Sequence, residues 1–359
     1  MRIALVSTPF VAVPPAAYGG TELVVHALAR ALERLGHEVT VFATGDSRVR
    51  RLRACFRRAI WPPDPYAGLL HARFAAAEIA AGAFDVVHAH LPSFLAFGED
   101  LAAPVVYTVH HDREPALERF YAAVPGPLHV AISARQAALC RPAVAAVVHH
   151  GLERGMYPSC GKGGGGAFFL GRLSWVKAPD VAIEAARRAG LPVVVAGRLH
   201  ADDAAPAGWR EQVLEPALRS RGVTWLPAAD LAAKRTLFAR SRALLVPLRW
   251  EEPFGLVMIE ALLAGCPVIA ARMGAAPEIV RDGEDGYLVA GAEEMAAALR
   301  RVGTLDRRAI QARARARFSA ERMARGYLEV YGRAVDAFRD GPFAPGRAAT
   351  GDPWTTLAR

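Results

Sequence analysis

The chain has 359 residues, of which 53% are hydrophobic and 22% are charged. That composition excludes an intrinsically disordered protein, and the length, about twice that of a typical domain, predicts two hydrophobic cores. The 44 basic and 35 acidic side chains leave a formal net charge of +9. A basic surplus suits nucleotide diphosphates, anionic lipid or nucleic acid alike, and it is equally typical of an arginine- and alanine-rich composition without such a role.

The four cysteines, Cys55, Cys140, Cys160 and Cys266, show neither C-x-x-C spacing nor a paired histidine motif. Neither a zinc site nor a disulfide framework is therefore indicated, and we predict reduced thiols in a cytoplasmic protein. The apolar run at the N-terminus is too short for a signal peptide. No run approaches the 18 or so apolar residues of a membrane span.

Short apolar runs alternate with amphipathic stretches, a pattern typical of βαβ units in a parallel sheet. The first run, Ile3–Val6, predicts a buried strand. A helix is predicted from about Glu22 to Leu35, because apolar residues recur there every three or four positions before Gly36 ends it. The other strands predicted in this half are Glu38–Ala43, Asp85–His88, Val105–His110, His129–Ile132 and Ala146–His149.

A glycine-rich segment, Gly161–Gly166, precedes a second alternating stretch and predicts a flexible linker. Beyond it we predict strands at Ala167–Leu170, Val193–Ala196, Val223–Leu226, Ala243–Val246 and Val268–Ala271, and helices at about Ala178–Ala189, Leu256–Ala264, Arg307–Arg317 and Ala320–Phe338. The expected organisation is an N-terminal domain over residues 1–155, a linker over 156–166, a C-terminal domain over 167–322, a last helix over 323–340 and a flexible tail over 341–359. The fold class is α/β, with two doubly wound Rossmann-like domains facing across a ligand-binding cleft.

The most informative motif is the segment Trp250–Ala261. Pro253 and Gly255 predict a tight turn, and a helix is predicted to begin near Leu256. Backbone amides at a helix N-terminus lack intrahelical partners and carry partial positive charge, which suits hydroxyls, carboxylates or phosphates. The candidate binding groups are the amides of Phe254, Gly255 and Leu256.

Two glutamates flank this turn. Glu252 precedes it, and Glu260 lies in a helix that is apolar nearly all round. Burying an unpaired carboxylate costs several kcal/mol, so Glu260 needs a partner. A vicinal diol such as a ribose offers two O–H donors, whereas an arginine or a backbone amide would give Glu260 a purely structural role.

Two cations follow the first strand of the second half. Arg172 comes directly after the predicted strand Ala167–Leu170 and its Gly171, and Lys177 lies at the start of the next helix. Fixed cations at the carboxyl end of a strand suit a diphosphate, which arginine can bind in bidentate fashion. The alternative is a pair of ordinary surface charges.

The glycine pair Gly19–Gly20 lies between the first strand and its helix, where paired glycines let the backbone approach a ligand closely. A flexible surface turn is the other interpretation. The segment is not G-x-G-x-x-G, and the chain has no Walker motif, so neither a dinucleotide fold nor a P-loop is predicted.

Histidines lie at the ends of two predicted strands. His88 and His90 end the first of these, and His110 and His111 end the second. A hydrogen-bonding role in a ligand site and a buried structural role are both open. A metal site is not predicted, because no third ligand is evident.

The segment Arg48–Trp61 carries six arginines together with aromatic and aliphatic residues. It could lie against the inner face of a membrane, cradle an anionic acceptor, or form a solvated basic loop. Nucleic-acid binding is not predicted, because no recognition module accompanies the basic residues.

Taken together, these segments resemble the family 4 glycosyltransferases of the GT-B fold from Met1 to about Phe338. The matching pieces are Tyr18–Glu22, Phe84–His90, Tyr107–His110, Gly171–Leu173 with Lys177, Glu252–Gly255 through Glu260, Ala275–Val280, Gly283 and Gly286–Val289.

The resemblance implies retaining transfer of a sugar from a nucleotide sugar, with no metal or other cofactor. A UDP-sugar is the first expectation and GDP-mannose the alternative; the acceptor is not assigned. Arg172 and Lys177 would hold the donor diphosphate, Glu252 and the turn amides the sugar hydroxyls, and Glu260 the ribose. Gly20 would approach the phosphates, and His110, or its neighbour His111, would contact the sugar. The last helix would cross back onto the N-terminal domain.

Two other functions stay open at this point. One is a GT-B enzyme of another class, such as a sugar phosphorylase or an epimerase. The other is a protein that binds a nucleotide sugar without catalysis.

Overall fold

The computed structural model of the protein describes residues 1–16, 19–157, 160–200 and 205–340, which form two compact units. Of the described residues, the first unit comprises those within Met1–Leu152 and the helix Ala320–Asp340, and the second comprises those within Glu153–Ser319. Tyr18 of the glycine motif and the predicted tail 341–359 lie outside the described residues.

The first unit contains a seven-stranded, wholly parallel sheet in the order β3-β2-β1-β4-β5-β6-β7. Its inner strands are buried on both faces, which explains why they are continuous apolar runs rather than alternating ones. The strands are β1 (Arg2–Val6), β2 (Glu38–Ala43), β3 (Leu52–Ala54), β4 (Val86–Ala89), β5 (Val105–Thr108), β6 (Leu128–Ala131) and β7 (Ala146–Val147).

The second unit contains a six-stranded parallel sheet in the order β10-β9-β8-β11-β12-β13. Ala167 lies in a central strand of this sheet and pairs with Val193 on one side and with Ala243 on the other. The strands are β8 (Ala167–Leu170), β9 (Val193–Ala196), β10 (Val223–Leu226), β11 (Ala243–Val246), β12 (Val268–Ala271) and β13 (Gly286–Val289). Two parallel α/β units confirm the predicted fold class.

Helices connect the strands in both units. The α-helices are α1 (Gly20–Arg34), α2 (Pro65–Ala80), α3 (Pro115–Ala123), α4 (Ala134–Leu139), α5 (Pro179–Arg188), α6 (Glu215–Leu218), α7 (Leu231–Arg240), α8 (Leu256–Leu263), α9 (Ala276–Ile279), α10 (Ala292–Arg301), α11 (Arg307–Arg317) and α12 (Ala320–Asp340). Short 3₁₀ segments cover Pro92–Asp100, Arg154–Met156, Trp175–Lys177 and Val302–Thr304, and a π-turn covers Arg210–Leu214. In the described part of the chain, no helix combines the length and apolar character that crossing a bilayer requires.

The last helix, α12, belongs to the first unit and packs along α1. Its apolar side is buried, and two of its tyrosines reach the sheet. Tyr331 hydrogen bonds His88 Nδ1 at 2.7 Å, and Tyr327 hydrogen bonds Thr108 at 2.7 Å. Buried polar groups with matched partners fix the register of this helix on the strands.

The glycine-rich segment differs from the predicted flexible linker. It lies inside the second unit, where the amides of Gly163 and Gly165 donate to the backbone carbonyls of the last two residues of α7. A Cβ on Gly161 would lie 2.1 Å from the Ala239 carbonyl oxygen, and one on Gly166 would lie 2.0 Å from that of Pro192. The glycines are therefore needed because backbone packs against backbone there, not to supply flexibility.

Candidate functional site

The second sheet reverses its strand order between β8 and β11. From β8 the chain moves outward through β9 and β10, and from β11 it moves outward in the other direction through β12 and β13. In open parallel sheets, ligands bind beyond the carboxyl ends of the strands at such a reversal. The segments after β8 and β11 carry the predicted cations and Glu252.

Lys177 and Glu252 meet at this point. The Lys177 Nζ contacts the Glu252 carboxylate as a hydrogen-bonded ion pair, although 75 residues separate the two. Lys177 ends the 3₁₀ turn after β8, and its ammonium also lies 4.7 Å from the centre of the Trp250 ring. Both charged side chains are largely buried. The structure thus brings together residues from two separate sequence motifs.

Arg172 has a different environment. It lies in the turn after β8 and is half-buried, and its Nε is buried without a hydrogen-bond partner among the described residues. No carboxylate neutralises it in that part of the chain. A partly buried guanidinium without a counter-charge is unfavourable, and a bidentate anion such as a phosphate would offset that cost.

The turn before α8 is shaped by glycines. Gly255 has φ of 84°, the left-handed region that favours glycine, and is the N-cap of the helix. Its own amide and that of Leu256 make no hydrogen bond within the described residues. Gly274 lies in the loop after β12. It lets that loop approach the backbone of Glu252, since a Cβ on Gly274 would lie 2.4 Å from the Glu252 nitrogen.

The side chain of Phe254 anchors this turn. Its side chain is buried and packs edge-on against Phe318, with ring centroids 6.3 Å apart. Its ring is therefore not exposed to a ligand. The backbone amides of Phe254, Gly255 and Leu256 remain the predicted groups for an anion or a hydroxyl.

Glu260 has two partners in the chain itself. Its Oε1 accepts a hydrogen bond from the Tyr157 hydroxyl at 2.7 Å and one from Lys234 Nζ at 3.0 Å. The partner expected for a structural role is an arginine or a backbone amide, and the structure shows a lysine and a tyrosine instead. Burial and the negative charge of Glu260 raise the pKa of Tyr157, so its hydroxyl stays a donor.

Sequence reasoning misses both partners of Glu260. Lys234 lies on α7, a helix that is not predicted because its apolar residues lack a clear period. Tyr157 lies in an irregular segment at the start of the second unit. Only the apolar surroundings of Glu260 signal that some cationic or hydroxyl donor has to lie nearby.

In the first unit, Gly19 and Gly20 begin α1. A Cβ on Gly19 would lie 2.9 Å from Glu22 Oε2, so the glycine makes room for that carboxylate. Glu22 is buried, accepts a hydrogen bond from the Thr8 hydroxyl, and has its pKa raised by burial. Glu22 therefore ties the loop after β1 to the start of α1.

His110 and its neighbours form a buried cluster. His110 Nε2 shares a hydrogen bond with His90 Nδ1 at 2.8 Å, and its ring stacks on His150 with centroids 5.3 Å apart. Burial lowers the pKa of His110 to about 3, with repulsion from His111 adding to the effect. His110 is thus a neutral imidazole near pH 7.

His111 and His88 are engaged elsewhere. The two ring nitrogens of His111 contact the Asp112 carbonyl and the Tyr121 hydroxyl, both at 2.6 Å. His88 bonds to Tyr331 and to Thr108. Within the described ranges, no group of three or more potential ligands has the geometry of a metal site.

The basic segment Arg48–Trp61 folds as the edge strand β3 with flanking loops. The amide of Ile60 donates to the Pro9 carbonyl, so the segment packs beside the loop after β1. Large apolar side chains are exposed close by in sequence, with Trp61 66% and Tyr66 76% accessible. Leu69 and Leu70 follow on α2 at helical spacing from Tyr66 and are also exposed.

Two family descriptions match the chain. Residues 18–153 match "Glycosyltransferase Family 4", and residues 164–319 match "Glycosyl transferases group 1". The two matches lie mainly on the first and second unit, respectively.

Curated relatives include the D-inositol 3-phosphate glycosyltransferase of Rhodococcus erythropolis, 37% identical over 206 residues, which are 50% of this chain and 45% of that protein. The enzyme of the same name from Mycolicibacterium paratuberculosis is 41% identical over 125 residues, covering 34% of this chain and 28% of that protein. The matched regions thus span less than half the length of these relatives.

Solved structures share the fold at lower identity. AviGT4, a glycosyltransferase involved in avilamycin A biosynthesis, superimposes with a TM-score of 0.72 at 22% identity, covering 94% of this chain and 98% of that one. The Anabaena protein HepE in complex with UDP-glucose gives a TM-score of 0.67 at 18% identity, covering 93% and 100%. These similarities establish the GT-B fold.

Proposed function

Because the chain belongs to the family 4-like glycosyltransferases of the GT-B fold, we propose that it transfers a sugar from a nucleotide-diphosphate sugar to an acceptor hydroxyl. The proposed donor is a UDP-sugar, with GDP-mannose as the alternative. The proposed reaction retains the configuration at the anomeric carbon and needs no metal ion. Support for a UDP-sugar comes from the HepE complex with UDP-glucose.

One observation carries this proposal: the contact between Lys177 and Glu252 across the strand-order reversal of the second sheet. It places a cation that suits a diphosphate next to a carboxylate that suits sugar hydroxyls. The N-terminus of α8 lies next to Glu252, and within the described residues the amides of Gly255 and Leu256 and the Nε of Arg172 have no hydrogen-bond partner. A pyrophosphate-linked sugar has the complementary groups, since its phosphates suit the cations and its hydroxyls suit the carboxylate.

The proposed catalytic role of Arg172 and Lys177 follows from their positive charges. As the bond between the anomeric carbon and the diphosphate breaks, negative charge builds on the leaving phosphate oxygen. Arg172 and Lys177 would stabilise that charge, and preorganised cations act strongly where water is excluded. The leaving phosphate itself would take the proton of the acceptor hydroxyl, since no carboxylate is needed for that step in a same-face displacement.

Donor binding would change the partners of Lys177. Without donor, Glu252 neutralises the ammonium. With donor, the ammonium would turn to the diphosphate while Glu252 accepts hydrogen bonds from the sugar. Glu260, held by Tyr157 and Lys234, would accept from the ribose with its second oxygen, Oε2.

The first unit would contribute Gly19, Gly20 and His110 to the reaction. His110 is favoured over His111 as the histidine that contacts the sugar, because both nitrogens of His111 already have partners in the chain. A neutral His110 would act as a hydrogen-bond partner, not as a general acid.

The exposed apolar side chains beside the basic segment Arg48–Trp61 extend the proposal to a membrane contact. We propose that the exposed Trp61, Tyr66, Leu69 and Leu70, together with the neighbouring arginines, contact an anionic membrane surface. Sedimentation with vesicles that contain anionic lipid tests this part. Trp61→Ser should lower the bound fraction, and equal binding of the variant would contradict it.

The enzymatic proposal is tested by turnover with a panel of UDP-, GDP- and ADP-sugars. The acceptor panel includes inositol 3-phosphate, the compound in the names of the curated relatives. Arg172→Ala, Lys177→Ala and Glu252→Ala should each lower turnover at least 100-fold, which corresponds to about 2.7 kcal/mol. Wild-type turnover in all three variants would refute the assignment.

Product analysis separates the alternatives. Release of a sugar phosphate from a glycoside and inorganic phosphate would indicate a phosphorylase. Conversion of UDP-N-acetylglucosamine alone would indicate an epimerase. Tight donor binding without even slow hydrolysis would indicate a binding protein.

A further inference from the structure

The amino-terminal edge of the second sheet carries a cationic cavity of about 220 Å³. Its wall is formed by loops that precede three strands and by the segment between α10 and α11. Parallel strands of four residues span about 13 Å, so this edge is separated from the carboxyl-end site by the depth of the sheet. The lining residues used below are Lys162, Gly163, Arg242, Gly303 and Arg307.

Three cations line this cavity, and no acidic residue is part of its wall among the described residues. Arg242 donates to the Arg300 carbonyl, and its Nε is buried without a partner in the same part of the chain. Arg307 donates to the carbonyls of Ser241 and Phe238. Both guanidinium groups are thus held by neutral oxygens, and neither forms an ion pair with a carboxylate of residues 1–16, 19–157, 160–200 or 205–340.

The nearest carboxylate along the chain, that of Asp306, caps a helix and forms no ion pair with the cavity cations within the described residues. Asp306 Oδ1 accepts hydrogen bonds from the amides of Arg308 and Ala309 and caps the start of α11. No ion pair joins Lys162, Arg242 or Arg307 to an acid in the part of the chain that the structure describes. Holding like charges together without a counter-ion is unfavourable, so the cavity favours an anion.

Glycines make the room for this arrangement. A Cβ on Gly163 would lie 2.9 Å from Arg307 Nη1, and one on Gly303 would lie 3.2 Å from Arg242 Nη2. Gly163 also has φ of 67°, a conformation that glycine adopts without strain. The glycine-rich segment therefore forms one wall of the cavity and carries Lys162 at its mouth.

We propose that this cavity is a second anion site, distinct from the donor site, that binds inorganic phosphate or the phosphate of a small phosphomonoester. Arginine pairs bind phosphate oxygens in bidentate fashion, and Lys162 would add a mobile point charge. The volume is below the range of about 300–1,000 Å³ that encloses drug-sized ligands, which favours these anions over a nucleotide.

The test separates this site from the donor site. Arg172→Ala/Lys177→Ala removes the donor cations and serves as the parent protein. Isothermal titration at constant ionic strength with inorganic phosphate, and separately with a hexose monophosphate, should show saturable binding of one anion per chain. Tighter binding of the hexose monophosphate would identify a sugar phosphate as the ligand, and equal binding would identify free phosphate.

Adding Lys162→Ala and Arg242→Gln to the parent should raise the dissociation constant at least tenfold. Arg221→Ala, an exposed arginine of the same unit outside the cavity, should leave it unchanged. If the Arg242 variant fails to fold, Lys162→Glu alone should still abolish binding, because Lys162 is exposed and its replacement disturbs no packing. Absence of saturable binding in the parent, or equal affinity with and without the cavity cations, would overturn the proposal.

Discussion

The carboxylate of Glu260 accepts a hydrogen bond from Tyr157 at 2.7 Å, although 103 residues separate the two in sequence. Lys234 completes the arrangement at 3.0 Å. An acid in an apolar helix thus has a cation and a hydroxyl as partners before any ligand binds. The same side chain therefore links three segments of the second unit, and in the proposed donor complex its other oxygen would accept from the ribose.

Removing Lys234 should destabilise the second unit. Lys234→Met leaves Glu260 buried with only the tyrosine as partner, and breaking a buried pair typically costs about 3–5 kcal/mol. We expect a loss of about 3 kcal/mol in the free energy of unfolding, measured by urea titration. The double variant Lys234→Met/Glu260→Leu should recover most of that loss. A change below about 0.5 kcal/mol in Lys234→Met would show that the pair contributes nothing.

Lysine should not be replaceable by arginine at position 177. The ammonium contacts Glu252 and lies over Trp250, a compact arrangement that a planar guanidinium cannot reproduce. We expect Lys177→Arg to lower sugar-transfer turnover by at least tenfold while the protein stays folded by circular dichroism. Arg221→Lys is the matched control and should keep full turnover. Full turnover in Lys177→Arg would mean that only the charge matters.

The glycine-rich segment should be intolerant of side chains at particular positions. Gly166→Ala would place a Cβ 2.0 Å from the Pro192 carbonyl oxygen, so the backbone would have to move. We expect a loss of at least about 2 kcal/mol, within the range for strained backbone sites. Gly291→Ala, where nothing lies within 4 Å, is the control. If Gly166→Ala leaves the free energy of unfolding unchanged, the segment behaves as a flexible linker instead.

Buried histidines should make the first unit sensitive to acid. Burial lowers the pKa of His71 to about 4, that of His110 to about 3 and that of His129 to about 4. Below about pH 6.5, the usual histidine pKa, the unfolded chain binds more protons than the folded one. The contribution of these histidines to stability is therefore complete above about pH 6.5 and falls as the pH drops toward about 4. Each such histidine should cost about 2 kcal/mol at about pH 5.

Unfolding of the first unit at about pH 7.5 and about pH 5 measures this loss. His129→Phe should reduce the difference between the two pH values, whereas His200→Gln, an exposed histidine of the second unit, should not. If His129→Phe leaves the pH dependence unaltered, the neutral state of that histidine is not what stabilises the fold.

Local pattern is sufficient to predict most strands. Ala167–Leu170, Val193–Ala196 and Val268–Ala271 lie where the apolar runs place them, because buried parallel strands are continuous apolar runs. Helix α2 is not predicted, since its many alanines blur the contrast between its faces. Helix α7 is missed for a similar reason, and with it Lys234.

The candidate site is predictable only as separate pieces. The turn before Glu260 and the cations after β8 each have a local signature. Their meeting depends on the order of strands in the sheet, which no short segment encodes. The packing of Gly161 and Gly166 against distant backbone is invisible for the same reason, and their composition resembles that of a linker.

Binding of UDP, measured by isothermal titration to the wild-type protein and to Arg172→Ala/Lys177→Ala, tests the central claim most directly. We predict that the wild type binds one UDP per chain and that the double variant, still folded, binds it at least 100-fold more weakly. Equal affinity of the two proteins for UDP would contradict the claim that these cations hold the donor diphosphate.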